Sequence, residues 1–106
     1  MSGPERRKFE RKLVTLQVDA MTSKGHVTFY TSNMSRGGVF LNADEPSPSG
    51  TVMDLVLNLS GQEVKVRGEI RWSREATENR PAGMGVQIIE ISEDDQEILD
   101  KFLSQL

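Results

Sequence analysis

Segments in which apolar and polar residues alternate recur along this chain, and they predict a fold built of β-strands. Residues 13–20 alternate between an apolar and a polar face, and residues 64–72 do so strictly from Val64 to Trp72. A period of two is typical of a strand with one buried face. Shorter apolar or β-branched segments cover residues 26–31, 38–41, 52–59 and 85–91.

Turn and loop residues separate these six segments, and after the last segment the apolar residues recur at a different spacing. Glycine, proline and small polar residues are concentrated at residues 22–25, 32–38, 45–50, 60–62 and 74–82. Ser92 is a favourable N-cap and Asp95 follows three residues later, which is typical of the start of a helix. Apolar residues then recur at helical spacing, namely Ile98, Leu99, Phe102, Leu103 and Leu106. We therefore predict an amphipathic C-terminal helix.

Six short antiparallel strands bury a shared apolar face best when the sheet closes on itself, which also leaves no exposed edge. The pattern therefore predicts an all-β fold with a C-terminal helix, in which a six-stranded antiparallel β-barrel forms the body. Trp72 lies on the apolar face of its segment and is expected in the core, with the alternative that the edge of its indole reaches the mouth of the barrel. His26, the only histidine, is expected to be an ordinary strand residue.

Composition sets limits on this picture. A chain of 106 residues is long enough for one domain and too short for two. No apolar stretch approaches the roughly 20 residues that a membrane-spanning helix needs, so no membrane insertion is expected. The absence of cysteine excludes disulfides, a thiol nucleophile and a cysteine metal site, and it suits the cytoplasm.

Charge is distributed unevenly along the chain. The net charge of −3 disfavours general binding of nucleic acid. Residues 1–12 contain five cations and two anions, whereas residues 90–101 contain six anions and one cation. We interpret residues 1–12 as a flexible basic N-terminal arm that attracts anions, and residues 13–106 as the barrel with its helix. A solvated tail without a ligand is the simpler alternative.

Two short polar motifs lie on either side of the first predicted strands. Residues 7–11 form an R-x-x-x-R motif, and residues 33–38 form an N-x-S-x-x-G motif. Guanidiniums suit phosphates, while an amide and a hydroxyl suit the edges of bases. Together the motifs predict a site for an anionic ligand that has bases. Taken alone, Asn33 and Ser35 are also explained as residues that satisfy their own turn.

With these motifs, the chain resembles a PilZ domain over residues 5–103. The resemblance rests on both motifs and on the 22-residue separation between Arg11 and Asn33. It rests also on the loop at 45–50, the start of the last strand at 83–86, and the acidic helix. It implies a PilZ-type six-stranded barrel that receives the bacterial second messenger cyclic di-GMP (c-di-GMP) and has no catalytic activity of its own.

The resemblance implies ligand contacts from both motifs. Arg7 and Arg11 are expected to bind guanine edges and phosphates, because the guanidinium fork matches the O6 and N7 acceptors of guanine. Arg6 is expected to stack on a second, intercalated nucleotide, so that the ligand is bound as a dimer. Asn33 is expected to bind a guanine edge, and Ser35 a phosphate or a base.

Two glycines and a signalling role complete the hypothesis. Gly38 is expected to let the backbone turn tightly, and Gly37 to let the ligand approach closely. The leading hypothesis is a c-di-GMP receptor, without a cofactor, that relays the signal to an unidentified protein effector in trans when the ligand orders the arginine arm. The alternative is a PilZ-fold interaction module with weak or no nucleotide binding that regulates motility or surface machinery.

Two further classes are disfavoured by the sequence. A barrel that binds single-stranded nucleic acid conflicts with the acidic balance and with an aromatic content of 6%. An enzyme is disfavoured because the sequence contains no recognisable pair of nucleophile and base and no cluster of metal ligands. The expected protein is therefore a binding domain and not an enzyme.

Overall fold

The computed structural model describes residues 11–22 and 25–106, and within them the chain forms seven strands and one helix. The strands β1 to β7 are Lys12–Leu13, Gln17–Thr22, Gly25–Met34, Gly38–Asn42, Val52–Leu59, Gln62–Arg74 and Gly83–Ile91. The helix, α1, is Glu93–Ser104. In the described ranges no helix is both long and apolar enough to span a membrane.

Six of the strands close into an antiparallel barrel. Their order is β3-β2-β5-β6-β7-β4, and an additional pairing between β3 and β4 closes the ring. The remaining strand, β1, extends the sheet by pairing with the C-terminal part of β3. The predicted six-stranded antiparallel barrel with a C-terminal helix is therefore confirmed, with one short strand added.

The first predicted strand, residues 13–20, is interrupted. β1 and β2 are separated by residues 14–16, and the side chain of Thr31 explains the interruption. The Thr31 hydroxyl accepts a hydrogen bond from the Leu16 N–H (2.9 Å) and donates one to the Val14 carbonyl (2.5 Å). A buried side chain thus satisfies backbone groups that a regular ladder would otherwise pair.

The third strand is longer than its sequence pattern predicts. The pattern ends this strand at Thr31 and assigns residues 32–38 to a break, whereas β3 continues to Met34. Thr31 pairs with Leu41 and Asn33 pairs with Phe40, so one extra residue lies between them as a β-bulge. The N-x-S-x-x-G motif therefore begins on a strand, which fixes the position of Asn33.

Trp72 was predicted to lie in the core, but 46% of its surface is exposed. Ile70 pairs with Val86 and Trp72 pairs with Gly85, so β6 has one extra residue at this point. Such a bulge re-aims the side chains that follow it. Trp72 stacks on Phe40 with ring centroids 5.3 Å apart. The indole also lies over Gly85, where a Cβ would come within 2.3 Å of its nitrogen.

Apolar side chains fill the barrel, and helix α1 packs against β6. Leu99 and Leu103 are the buried residues of the helix. Ser92 is the N-cap, as predicted, and its hydroxyl accepts from the Asp95 N–H at 3.1 Å. The Asp95 carboxylate in turn accepts from the Lys65 N–H at 3.0 Å. The helix is therefore joined to β6 by apolar burial and by a hydrogen bond at its first turn.

Candidate functional site

A groove of about 810 Å³ opens on the outside of the barrel. It lies between the turn that joins β3 to β4, the outer faces of β6 and β7, and the first turns of α1. Its main polar lining residues are Arg11, Ser35, Arg36, Arg71, Gln87 and Gln96. The groove is therefore built by segments that are distant in sequence and that barrel closure brings together.

The two sequence motifs meet at one end of this groove. The Arg11 Nε donates to Asn33 Oδ1 at 2.9 Å, and its Nη1 donates to Ser35 Oγ at 3.4 Å. β1 makes this contact possible, because Lys12 pairs with Met34 and thereby places Arg11 beside β3. The structure thus brings together the second arginine of the first motif and both polar side chains of the second.

The turn between β3 and β4 is fixed by backbone hydrogen bonds. The Ser35 N–H donates to the Gly38 carbonyl at 2.8 Å, and the Ile88 N–H on β7 donates to the Gly37 carbonyl at 2.9 Å. The Ser35 hydroxyl, which belongs to a residue only 3% exposed, accepts from the Gly37 N–H at 3.3 Å. Ser35 therefore satisfies its own turn, which was the alternative explanation of this residue in the sequence, and it also contacts Arg11.

Gly38 has a different role from the tight turn that we expected. The described glycines with positive φ are Gly25, Gly50 and Gly61, and Gly38 is not among them. A Cβ at Gly38 would lie 2.6 Å from the carbonyl oxygen of Val86. A side chain is therefore excluded because β4 and β7 approach closely, and not because the turn needs an unusual backbone conformation.

We expect Gly38→Ala to lower the free energy of unfolding by about 2 kcal/mol, since the new methyl group meets a backbone atom that cannot rotate away. Urea unfolding measures the loss, and amide hydrogen exchange should become faster in β7 around Val86. Gly50→Ala is the control, because a Cβ there meets no atom within 4 Å and only the backbone φ of +94° is unfavourable. Unchanged exchange in β7 would contradict the close-approach argument.

The opposite wall of the groove was missed by the sequence analysis. Arg71 donates from Nη1 to Gln87 Oε1 at 2.8 Å, and Trp72 presents its half-exposed indole beside them. The alternating pattern placed Arg71 on a solvated face and Trp72 in the core. The bulge after Ile70 turns Trp72 to the outer face, where Arg71 already lies, and no feature of the sequence marks it.

The groove lining carries more positive than negative charge although the chain as a whole is acidic. Among the described lining residues are three guanidiniums, Arg11, Arg36 and Arg71, and one carboxylate, Glu90. A concave surface lined by one sign of charge concentrates ions of the opposite sign. In the same described part of the chain, no group of three or more histidine, aspartate or glutamate side chains could hold a metal ion.

Part of the predicted site lies outside the described residues. Arg6 and Arg7 belong to residues 1–10, so their ligand contacts and the basic arm itself stay predictions. Of the predicted residues that are described, four line the groove, namely Arg11, Ser35, Gly37 and Gly38. Asn33 is not a lining residue, but it accepts a hydrogen bond from Arg11. Arg36 also lines the groove, at a position of the second motif to which we assigned no contact. The polar and aromatic lining residues outside both motifs are Arg71, Trp72, Gln87, Glu90 and Gln96.

The fold is that of a small β-barrel domain with an external groove whose described lining carries three guanidiniums and one carboxylate. The chain belongs to the PilZ domain family, whose family model matches residues 5–105 and therefore nearly the whole chain. The comparison with curated proteins gave no match.

Several solved structures have the same fold. The Bacillus subtilis inhibitor of motility, MotI, is 22% identical with a TM-score of 0.79, and the match covers 96% of this chain and 54% of MotI. Escherichia coli YcgR in complex with c-di-GMP is 12% identical with a TM-score of 0.78, over 94% of this chain and 45% of YcgR. The PilZ domain of YcgR with c-di-GMP gives a TM-score of 0.75 at 12% identity, over 95% of this chain and 91% of that domain. This chain thus spans about half the length of MotI and of full YcgR.

Proposed function

We propose that this chain is a receptor for c-di-GMP and binds it in the groove beside Arg11. The observation on which the proposal depends is the contact of the Arg11 guanidinium with Asn33 and Ser35 at the end of a cationic groove. Membership of the PilZ family and the likeness to a c-di-GMP complex of YcgR support it.

The polar groups at this end of the groove match the chemistry of the ligand. c-di-GMP has two phosphates and two guanines, and a guanidinium has five N–H donors in a planar fork. Arg11 uses donors on Nε and Nη1 for Asn33 and Ser35, so its remaining donors can bind a phosphate or the O6 and N7 of a guanine. The contacts within the protein would then orient the arginine for the ligand.

The opposite wall suits the rest of the ligand. Trp72 is 46% exposed, with Phe40 and Arg74 against its ring, and Arg71 beside it adds a guanidinium. Nucleotide bases stack on indoles and on guanidinium planes. The groove volume of about 810 Å³ falls in the upper part of the range of about 300–1,000 Å³ that is usual for small-ligand sites. A ligand with two nucleotides can therefore contact both walls at once.

Binding of c-di-GMP to the full chain, followed by isothermal titration calorimetry, tests the proposal. A hydrogen bond to a charged group contributes about 1.5–3 kcal/mol, and micromolar affinity needs about 8 kcal/mol, so several such contacts must form together. We expect a dissociation constant in the micromolar range or below, and no comparable heat with GMP. No binding at tens of micromolar ligand would favour the interaction module instead.

We expect two molecules of c-di-GMP to bind to each chain. Arg6 precedes the R-x-x-x-R motif and adds a guanidinium that can stack on a second, intercalated nucleotide. Calorimetry measures this stoichiometry directly, and Arg6→Ala should reduce it from two to one without changing the thermal stability of the free protein. One ligand per wild-type chain would contradict the dimer.

The output is proposed to be protein binding and not catalysis. Ordering of the part of the basic arm that precedes Arg11 over the bound ligand would create a new surface for an effector in trans, because a ligand stabilises the state that it binds better. Arg11 and Lys12 themselves are already held against β3. The likeness to MotI, which is named an inhibitor of motility, supports regulation of motility as the process. Slower hydrogen exchange of the arm in the presence of ligand is the expected sign of this ordering.

A further inference from the structure

Arg36 lies in the groove but is bound to the C-terminal helix. It follows Ser35 directly, and its Nε donates to Asp100 Oδ1 at 2.9 Å across 64 residues of sequence. Both partners are accessible, since 51% of the Arg36 side chain and 41% of the Asp100 side chain are exposed. The backbone around Arg36 is fixed by the hydrogen bonds of its turn, so only the side chain has to move for a new contact.

Asp100 has a second partner that also faces the groove. Gln96, one helical turn earlier, donates from Nε2 to the same Oδ1 at 2.9 Å and is itself a lining residue. Leu99, between them in sequence, is fully buried and holds this part of the helix on the barrel. The Asp100 carboxylate would therefore keep a hydrogen-bond donor and its position if Arg36 moved away.

We propose that Arg36 is a further ligand-binding guanidinium of the groove, and that Asp100 competes with a phosphate of the ligand for it. This inference rests on the proposed function. An exposed ion pair between single side chains is weak, whereas a phosphate beside several guanidiniums forms charge-assisted and often bidentate hydrogen bonds. Arg36 then exchanges a carboxylate for a phosphate within the same groove.

Two consequences distinguish this exchange from a purely structural ion pair. The apparent affinity of the ligand is lowered by the fraction of molecules in which Arg36 is held by Asp100, so removal of the carboxylate's charge should strengthen binding. In addition, ligand binding separates Arg36 from Asp100, so the exposed face of α1 then carries a carboxylate that is no longer paired with this cation. A structural ion pair predicts weaker or unchanged binding when Asp100 is altered.

Calorimetric titration of Arg36→Ala and Asp100→Asn with c-di-GMP tests the inference. We expect Arg36→Ala to weaken binding at least about tenfold, because a charged contact to a phosphate is lost. Asp100→Asn should strengthen binding roughly two- to fivefold, which is the range for an exposed ion pair. Arg36→Lys, which keeps the charge and loses the planar fork, should lie between Arg36→Ala and the wild type.

The chain offers a matched control pair outside the groove. Arg67 donates from Nε to Asp54 Oδ1 at 3.1 Å, and the exposed fraction of its side chain is 51%, the same as for Arg36. The hydrogen bond to Asp54 raises the pKa of the Arg67 guanidinium. Asp54→Asn should leave the affinity within about twofold of the wild type, because Asp54 does not line the groove. Arg67 itself is left unchanged in this control, because its Nη1 lies 3.9 Å from Oε1 of the groove residue Glu90.

The Nε–H resonance of Arg36, observed by nitrogen-15 NMR, gives a direct second readout. We expect it to shift when c-di-GMP is added to the wild-type protein. Unchanged affinity in Arg36→Ala, weaker or unchanged binding in Asp100→Asn, or an unmoved resonance at saturation would each overturn the exchange while leaving the proposed function intact. Absence of any binding by the wild type would overturn both proposals.

Discussion

Arg11→Ala should weaken c-di-GMP binding by about 2 kcal/mol or more, which is roughly a 30-fold loss of affinity. The variant removes the guanidinium that joins the two motifs, and with it the hydrogen bonds to Asn33 and Ser35. Both losses weaken binding. The ligand loses a charged partner, and Asn33 and Ser35 lose the arginine to which they are hydrogen-bonded. Isothermal titration calorimetry against the wild type measures the change.

Arg11→Lys separates charge from shape in this experiment. Lysine keeps the positive charge but lacks the planar fork, so it should recover only a part of the lost affinity. Arg80→Ala is a control for net charge, because Arg80 is exposed and is not part of the groove lining. An Arg11→Ala protein that binds as tightly as the Arg80→Ala control would show that the ligand does not use this end of the groove.

Leu99→Ala should lower the free energy of unfolding by about 3 kcal/mol, since the deletion of a fully buried leucine side chain leaves a cavity. Leu99 anchors α1 on the barrel, and Gln96 and Asp100 lie on the same part of the helix. The variant should therefore also loosen the helical side of the groove. Urea unfolding followed by circular dichroism measures the loss of stability.

Leu106→Ala is the matched control for this second variant. It makes the same chemical change near the same end of the chain, but Leu106 is 48% exposed and lies beyond the end of α1. Its effect should stay within about 0.5 kcal/mol, as is usual for surface positions. A loss below about 1 kcal/mol in Leu99→Ala would mean that the helix does not depend on this side chain.

The fold was largely predictable because most of its strands have one face in the core. The strict alternation that starts at Val64, and the helical spacing after Ser92, follow directly from burial of one face. The irregular points were not predictable, because each depends on a contact between distant segments. Thr31 interrupts the first strand by bonding to backbone groups more than a dozen residues away, and no local pattern indicates this.

The site was predictable on one side only. Arg11, Asn33 and Ser35 belong to short motifs whose residue types suit an anionic ligand, and the structure brings them into contact. Trp72 belongs to the opposite wall, because a bulge in β6 turns its side chain away from the core face to which the alternating pattern assigned it. Arg36 meets its partner across 64 residues of sequence, and such a pairing follows from the packing of the helix on the closed sheet and not from spacing along the chain.

The exposed position of Trp72 has a practical consequence. It is the only tryptophan in the chain, and its indole stands on the groove wall with nearly half of its surface accessible. Indole emission depends on the polarity and stacking of its surroundings. The protein therefore contains its own optical probe, and ultraviolet fluorescence can follow occupancy of the groove in real time without an attached dye.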